Sequence, residues 1–176
     1  MEPNIQEVNF RDYEREIVSL REKVWNYSEK YVAERYFKNN FIDQFEDNAL
    51  HWIITNNGKV VASCRLSIHQ DSNDIPDLRY IEKQILDKLP SPIGSLNRLV
   101  IDPEWHGKGY GKLLDQVRFE KCRSLHCHSI IGITHGKRCN QLLNYGFSRL
   151  TYLKDFNDIT TVSGEEMPSL FVKILD

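Results

Sequence analysis

Two periods of hydrophobic residues alternate along the chain and predict its secondary structure. Apolar residues at spacings of four and three mark helix faces, whereas short or alternating apolar runs mark strands. The first predicted strand contains Ile5, Val8 and Phe10. The other predicted strands cover residues 50–55, 60–68, 96–102, 129–134, 147–153 and 169–175. The predicted helices are a long one with a face from Tyr13 to Tyr31, and shorter ones over residues 78–89, 109–125 and 137–145. Residues 56–59 have the sequence of a hairpin turn, and residues 33–47 form a helical piece or an irregular segment.

Composition limits the classes of protein that fit. With 176 residues and 40% hydrophobic content, the chain is expected to form a single domain over residues 1–176. A net charge of −2 gives no reason to expect nucleic acid as a partner, and the apolar runs are too short to cross a membrane. The N-terminus lacks the basic start and apolar core of a signal peptide, so we expect a soluble cytoplasmic protein with four free cysteine thiols.

The most informative chemical signal is a predicted strand that leads through a glycine-rich loop into a helix. Gly107, Gly109 and Gly111 lie within five residues, and their lack of Cβ atoms allows turns that bring consecutive N–H groups toward one point. The following helix presents the positive end of its dipole at the same place. Such a loop binds phosphate. The alternative is that the loop is only a tight strand-to-helix turn and binds no ligand. In that case the three glycines would lower stability, because each loses more backbone entropy on folding than alanine would, and no ligand would offset the loss.

Two common nucleotide-binding loops do not match this segment. A nucleoside-triphosphate loop needs Ser or Thr after Gly-Lys to hold magnesium, but Leu113 follows Lys112 here. A dinucleotide fingerprint needs its third glycine where Lys112 stands, and it usually opens the first strand–helix unit of a fold. The segment from His106 to Gly111 instead closely resembles the pyrophosphate loop of the GCN5-related N-acetyltransferase (GNAT) superfamily, with His106 in place of the usual Arg or Gln.

The resemblance covers most of the chain and implies both a fold and a cofactor. The order of predicted elements is that of the superfamily, and Gly146-Phe147 is similar to its Gly-Phe pair after the fourth helix. The implied fold is α/β (α+β): a mixed, mostly antiparallel sheet of six to seven strands, flanked by about four helices and splayed between strands four and five. Pantetheine of coenzyme A would lie in that splay. The implied cofactor-binding residues are Leu99, Val100, Ile101, His106, Gly107, Lys108, Gly109, Tyr110, Gly111, Lys112 and Asn140.

The catalytic residues implied by the resemblance are less complete. Many members carry a tyrosine four residues before the Gly-Phe pair as the acid for the leaving thiolate, and that position is Leu142 here. Tyr145 is a substitute candidate, with packing as its alternative role. His135 stands where the family often has an asparagine after the fifth strand. Because histidine titrates near neutrality, His135 is the first candidate for relaying protons; a helix-capping or surface role is the alternative.

A cluster of cysteines and histidines near the end of the third predicted helix suggests a metal site at first sight. Its members are Cys122, His126, Cys127 and His128. Their spacing does not match the usual zinc ligand pairs, so no metal is expected, and buried thiols with surface imidazoles are favoured.

A second resemblance, in the N-terminal half, concerns the acceptor. Six residues are similar to a pattern that shapes the substrate region of acyl-homoserine-lactone synthases and long-chain N-acyl amino acid synthases: Arg21, Trp25, Asp43, Glu46, Arg65 and Arg98. Ser95 replaces the glutamate expected three residues before Arg98, which counts against homoserine-lactone synthesis itself. The alternative is that Arg21 and Arg65 pair with acidic neighbours and hold the first helix on the sheet.

These observations predict an acyl-CoA-dependent N-acyltransferase, with acetyl-CoA or another acyl-CoA as co-substrate. The expected reaction is direct attack of a small-molecule primary amine on the thioester, and a homodimer is possible. One alternative transfers a longer acyl group from acyl-CoA or acyl carrier protein to an amino acid. The other is a domain that binds acyl-CoA without catalysis.

Overall fold

The computed structural model describes residues 3–28, 41–75, 81–153 and 168–175. Within these ranges the chain forms seven strands and four helices. The strands are β1 Asn4–Val8, β2 Leu50–Asn56, β3 Lys59–His69, β4 Ile93–Ile101, β5 Ser129–Thr134, β6 Ser148–Tyr152 and β7 Ser169–Ile174. The helices are α1 Glu14–Ser28, α2 Lys83–Leu86, α3 Tyr110–Ser124 and α4 Lys137–Asn144.

The strands form one mixed sheet in the order β1-β2-β3-β4-β5-β7-β6. The pairs β1–β2, β2–β3, β5–β7 and β6–β7 are antiparallel, whereas β4 and β5 are parallel. The predicted fold class is thereby confirmed: a mostly antiparallel sheet with seven strands and four helices.

The predicted splay concerns the parallel pair β4–β5, which is paired over only part of β4. Within these two fully described strands, the register runs from Ile93 opposite Ser129 to Leu96 opposite Gly132. Since β4 continues to Ile101, its second half lies beyond this register. The main chain of that second half is the part to which pantetheine is expected to bond.

The chain divides into two compact units, and the first comprises Met1–Ser67 and Asn97–Phe119. Its apolar core joins α1 to the β2–β3 hairpin and to β4. The buried members are Phe10, Ile17, Leu20, Ile53, Val60 and Val100. Burying each such side chain contributes about 1.5–3 kcal/mol. The apolar face of α1, with Ile17 and Leu20, thus packs on the strands, as the helical spacing of these residues predicts.

The second unit comprises Ile68–Leu96 and Glu120–Asp176. Its core contains side chains from α2, β4, β5 and β7 and from the segments next to them. The buried members are Ile75, Ile81, Leu86, Ile93, Ile131, Leu153, Leu170 and Val172. The β-branched residues of β5 suit its position between two other strands.

Several predicted element boundaries differ from the structure. Phe10 lies in a short 3-10 turn, Phe10–Tyr13, and not in β1, because the side chain of Asn9 caps that turn by accepting a hydrogen bond from the main-chain N–H of Arg11. The helix predicted over 78–89 is described only at Lys83–Leu86, and residues 78–80 lie outside the described residues. The strand β4 begins three residues earlier than predicted.

Parts of two other predictions fall outside the described residues. These are the end of the first helix face at Tyr31 and most of the segment 33–47. Residues 41–47 form bends and turns, which agrees with the irregular interpretation there. No helix in the described stretches has the length and apolar character that a membrane span requires. All four cysteines are buried, and none of them forms a disulfide.

Candidate functional site

The glycine-rich loop has the backbone geometry that the sequence predicts. It follows β4 and a 3-10 turn, Pro103–Trp105, and ends where α3 begins at Tyr110. Gly107 and Gly109 have φ angles of 76° and 80°, a left-handed conformation that side chains with a Cβ rarely adopt. A Cβ atom on either glycine would meet nothing of the described chain within 4 Å. The glycines are therefore required by conformation, and the space beside them is open to a ligand.

Gly111 serves a different purpose from the other two glycines. It lies in the first turn of α3, and a Cβ atom there would lie 3.3 Å from Cδ1 of Ile101. A side chain would push against β4, so this glycine lets the helix start close to the strand. The sequence suggested one role for all three glycines, whereas the structure separates two turn positions from one packing position.

The electrostatics of the loop favour an anion. The first N–H groups of a helix have no acceptor within the helix, and the first turn of α3 contains no acidic side chain. Acidic residues normally occupy such a turn because they stabilise the positive end of the helix dipole. Lys108 and Lys112 are exposed beside it. The arrangement therefore favours a phosphate group or another anion.

Side chains at the two ends of the loop hold it in place. Nε2 of His106 lies 3.0 Å from the main-chain oxygen of Ile101, so the imidazole is turned back onto β4. The rings of Trp105 and Tyr110 stack at 5.9 Å with an interplanar angle of 15°, and Nζ of Lys108 lies 4.0 Å from the centre of the Trp105 ring. His106 would therefore serve a bound cofactor through its main chain.

A buried carboxylate ties the start of this loop to α1. Asp102 is 1% exposed and accepts hydrogen bonds from Nζ of Lys23 at 2.9 and 2.8 Å. It also accepts a hydrogen bond from the N–H of Glu104 and so caps the 3-10 turn. Burial alone would raise the pKa of Asp102, but the Lys23 ammonium and the Glu104 N–H hold it below its usual value. Asp102 is therefore ionised at neutral pH.

The six residues of the N-terminal pattern come together in the first unit. Glu46 accepts two hydrogen bonds from Arg21, at 2.7 and 3.1 Å, and its Oε1 lies 3.0 Å from Nη1 of Arg65. Asp43 bridges Nη1 of Arg65, at 2.6 Å, and Nη2 of Arg98, at 2.7 Å. We call this continuous series, Arg21–Glu46–Arg65–Asp43–Arg98, the arginine–carboxylate chain. Its guanidinium groups outnumber its carboxylates by three to two.

Only one end of the arginine–carboxylate chain approaches the surface. The side chains of Arg21, Glu46 and Arg65 are 1% exposed, whereas Arg98 is 16% and Asp43 24% exposed. Arg21 and Arg65 thus connect three parts of the chain: α1, β3 and the segment that precedes β2. This supports the alternative in which the two arginines hold the first helix on the sheet.

Trp25 lies against the exposed end of the arginine–carboxylate chain. Its ring stacks on Phe41 at 5.6 Å, and the guanidinium carbon of Arg98 lies 5.3 Å from the ring centre. Burial alone would raise the pKa of Asp43, but Arg65 and Arg98 together hold it well below its usual value. Asp43 therefore stays ionised near neutrality and is a poor proton acceptor.

His51 is buried beside the arginine–carboxylate chain. Its Nε2 lies 3.0 Å from the main-chain oxygen of Glu46 and 3.6 Å from Oε2 of the same residue, and its side chain is 1% exposed. Burial lowers the pKa of His51 below 6.5. The imidazole is therefore neutral at pH 7.

The depressed pKa of His51 predicts a pH dependence of stability. Between the lowered pKa and 6.5 the unfolded chain binds more protons than the folded chain, so this contribution is complete above pH 6.5 and is lost as the pH falls. The loss is at most about 1.4 kcal/mol per pH unit. Urea unfolding at pH 7.5 and 5.5 should show a smaller difference for His51→Gln than for the wild type. His128→Gln, at an exposed position, is the control and keeps the wild-type difference. Equal differences in all three proteins would contradict the assignment.

The second unit contains the two predicted catalytic residues, His135 and Tyr145, and one predicted cofactor-binding residue, Asn140. His135 is exposed between β5 and α4, Asn140 is exposed on α4, and Tyr145 is half-buried just after α4. The main-chain oxygen of Tyr145 accepts a hydrogen bond of 2.6 Å from Nζ of Lys173. Leu142 is 1% exposed, and its Cδ1 is 3.3 Å from where a Cβ of Gly132 would be. Leu142 is thus a core residue of this unit.

The cysteines and histidines near the end of α3 differ in burial. Cys122 and Cys127 are 0% and 4% exposed, and burial raises the pKa of the Cys127 thiol despite a hydrogen bond with Cys122. His126 and His128 are exposed. Over the described ranges, no group of three or more His, Cys, Asp or Glu side chains is placed to hold a metal ion.

One buried ion pair was missed by the sequence interpretation. Arg118 and Asp115 on α3 are 1% and 0% exposed and contact each other. Spacing alone suggests a surface pair at i and i+3. The signal that could have found it is the helical face through Leu114, Arg118 and Cys122, whose members are all buried.

Comparison with known proteins agrees with this geometry. The sequence model of the acetyltransferase (GNAT) family matches residues 12–147, more than half of the chain. No curated protein sequence is significantly similar.

Solved structures show the same fold at low identity. A GNAT-family acetyltransferase from Staphylococcus aureus Mu50 has a TM-score of 0.65 at 16% identity, covering 99% of this chain and 100% of its own. An acetyltransferase from Streptococcus agalactiae 2603 has a TM-score of 0.62 at 20% identity, with 98% of each chain covered. A chain of the NatC complex, solved bound to a Gag peptide and CoA, has a TM-score of 0.63 at 15% identity, with 100% of each covered. From the family match together with the shared fold, the chain belongs to the acetyltransferase (GNAT) family.

Proposed function

We propose that this protein is an acyl-CoA-dependent N-acyltransferase that transfers acetyl from acetyl-CoA to the primary amine of a small molecule. The observation that carries the proposal is the loop of residues 106–111. Its two left-handed glycines and a helix start without acidic side chains leave an open, positively polarised space. Membership of the acetyltransferase family supports the same conclusion.

The glycine-rich loop, the second half of β4 and Asn140 would bind the acyl donor. The N–H groups from Gly107 to Lys112 would bind the pyrophosphate, and the main chain of Leu99, Val100 and Ile101 would hold the pantetheine arm. Acetyl-CoA supplies the activated thioester. The amine nitrogen bonds to the acetyl carbon as the carbon–sulfur bond breaks, so the amine loses a proton and the thiolate gains one. His135 is proposed to relay these protons, with Tyr145 as the alternative acid.

Ligand-dependent stability tests the proposed donor site. A ligand that binds only the folded protein raises its free energy of unfolding, by about 2.7 kcal/mol at a concentration one hundred times Kd. Thermal unfolding with acetyl-, hexanoyl- and decanoyl-CoA should therefore show a higher Tm than without ligand, and free CoA is the reference. Thiol release across a panel of amines and amino acids then identifies the acceptor. An unchanged Tm with all four compounds would refute the assignment of the loop.

A second candidate function rests on the exposed end of the arginine–carboxylate chain. Arg98, Asp43 and Trp25 lie together there, and Arg98 is partly exposed. Guanidinium groups bind carboxylates well, so Arg98 would suit an amino acid acceptor that receives a longer acyl group from acyl-CoA or acyl carrier protein. Competition among acyl-CoAs of increasing length decides between the two functions. Equal affinity for acetyl- and decanoyl-CoA would count against the longer donor.

The buried Leu142 keeps a third function open, a domain that binds acyl-CoA without catalysis. A core leucine fills the position of the tyrosine that many relatives use as an acid. Release of CoA thiol with any amine in the panel would exclude this function.

A further inference from the structure

The buried side chain of Arg118 lies beneath the point where β4 becomes irregular. Its Nη1 donates to the main-chain oxygens of Arg65, at 3.2 Å, and Asn97, at 3.3 Å. Its Nε lies 3.3 Å from the main-chain oxygen of Leu114, and its Nη2 contacts Asp115. One guanidinium on α3 thus satisfies main-chain acceptors on both β3 and β4.

The residue after Asn97 has an unusual backbone. Arg98 has a φ of 53°, although it is not a glycine and lies inside a strand. Such a conformation costs free energy and persists only where its surroundings fix it. Two contacts do so here: Arg118 holds the carbonyl just before Arg98, and Asp43 holds the Arg98 guanidinium at 2.7 Å. An extended strand bends at a residue with such an angle, so the conformation of Arg98 affects the course of the strand that follows.

Arginine is the side chain that this buried position requires. Four acceptors surround it: a carboxylate oxygen of Asp115 and the three main-chain oxygens. The guanidinium has five N–H donors in a fixed plane, whereas lysine has three on one atom and methionine has none. Asp115 is 0% exposed and supplies the opposite charge that a buried cation needs.

We propose that Arg118, held by Asp115, is a positioning residue for the acyl-donor site. It fixes the turn at Arg98 and thereby aims the main chain of Leu99, Val100 and Ile101 at the pantetheine arm. This inference rests on the proposed function. Arg118 itself would not contact the phosphates, which are proposed to bind at the loop after Asp102.

Binding of two ligands by the full-length protein tests the inference. Acetyl-CoA contains the pantetheine arm, whereas adenosine 3′-phosphate 5′-diphosphate contains the phosphates without it. Measured by calorimetry, the affinity of Arg118→Met for acetyl-CoA should be lower than that of the wild type by about tenfold or more. This is the loss expected when hydrogen bonds to the ligand are misplaced. The affinity of this variant for the second ligand should stay within about twofold. Arg118→Lys should show the same selectivity with a smaller loss, and it keeps the proposal testable if the methionine variant does not fold.

Ile54→Ala provides the control, since Ile54 is fully buried in the same unit and takes part in none of the contacts assigned to Arg118 or to the donor site. It should lower Tm while keeping the wild-type ratio of the two affinities. The positioning role would be overturned if Arg118→Met and Arg118→Lys lost affinity for both ligands equally. It would also be overturned if they lost affinity for neither. Failure of the wild type to bind either ligand would instead overturn the proposed function and this inference with it.

Discussion

Replacing Glu46 by glutamine is expected to lower the free energy of unfolding by about 3–5 kcal/mol, because removing one partner of a buried ion pair leaves an uncompensated charge. Glu46 lies between Arg21 and Arg65, and all three side chains are 1% exposed. Glutamine keeps the volume but removes the negative charge that both guanidinium groups need. Urea unfolding monitored by tryptophan fluorescence measures the difference.

A surface ion pair gives the comparison for Glu46→Gln. Arg11 donates to Asp47 at 2.6 Å, and both side chains are 56% exposed. Exposed pairs contribute at most about 1 kcal/mol, so Asp47→Asn should change the free energy of unfolding by no more than that. If the two variants lost equal stability, burial would not govern the energetics of the arginine–carboxylate chain.

Gly109→Asp is expected to weaken acetyl-CoA binding by about 100-fold or more, since placing like charges together costs several kcal/mol. Gly109 has a φ of 80°, in the loop whose N–H groups are proposed to bind phosphate. A carboxylate at this position would lie beside those N–H groups and repel the pyrophosphate. Calorimetric titration with acetyl-CoA measures the loss.

Two control variants separate repulsion from backbone strain. Gly58, in the β2–β3 turn, has a φ of 76°, and a Cβ there would likewise meet no described atom within 4 Å. Gly58→Asp introduces the same side chain at the same kind of conformation, with a cost of roughly 1–2 kcal/mol, and should leave binding unchanged. Gly109→Ala adds strain without charge and should weaken binding less than Gly109→Asp. Equal affinities of the two Gly109 variants would assign the effect to strain alone.

The sequence predicts those parts of the fold that depend on local chemistry. The β2–β3 hairpin is one case: Asn57 and Gly58 have φ angles of 49° and 76°, which is the turn that an Asn-Gly pair favours. The early start of β4 is the opposite case. Pro92 and Gly94 resemble strand breakers, but pairing of Ile93–Leu96 with β5 overrides that preference.

The candidate site shows the same division. The backbone of the glycine loop was predictable, because residues with a Cβ rarely adopt its φ angles. The left-handed turn at Arg98 was not, since an arginine inside an apolar run gives no sign of it. The burial of Arg118 depends on contacts with distant strands, so propensity and spacing could not reveal its partners.

The arginine–carboxylate chain also limits how this sequence can diverge. Each of its five members contacts at least one other member, so the effect of changing one depends on which residues are already present. Such neighbours are strongly non-additive, and loss of Arg21 should be far less harmful once Glu46 is also neutral. Single-step substitutions inside the chain pass through an unstable intermediate sequence. When these charges are replaced by apolar residues one at a time, the order of the mutations therefore decides how much stability each intermediate sequence loses.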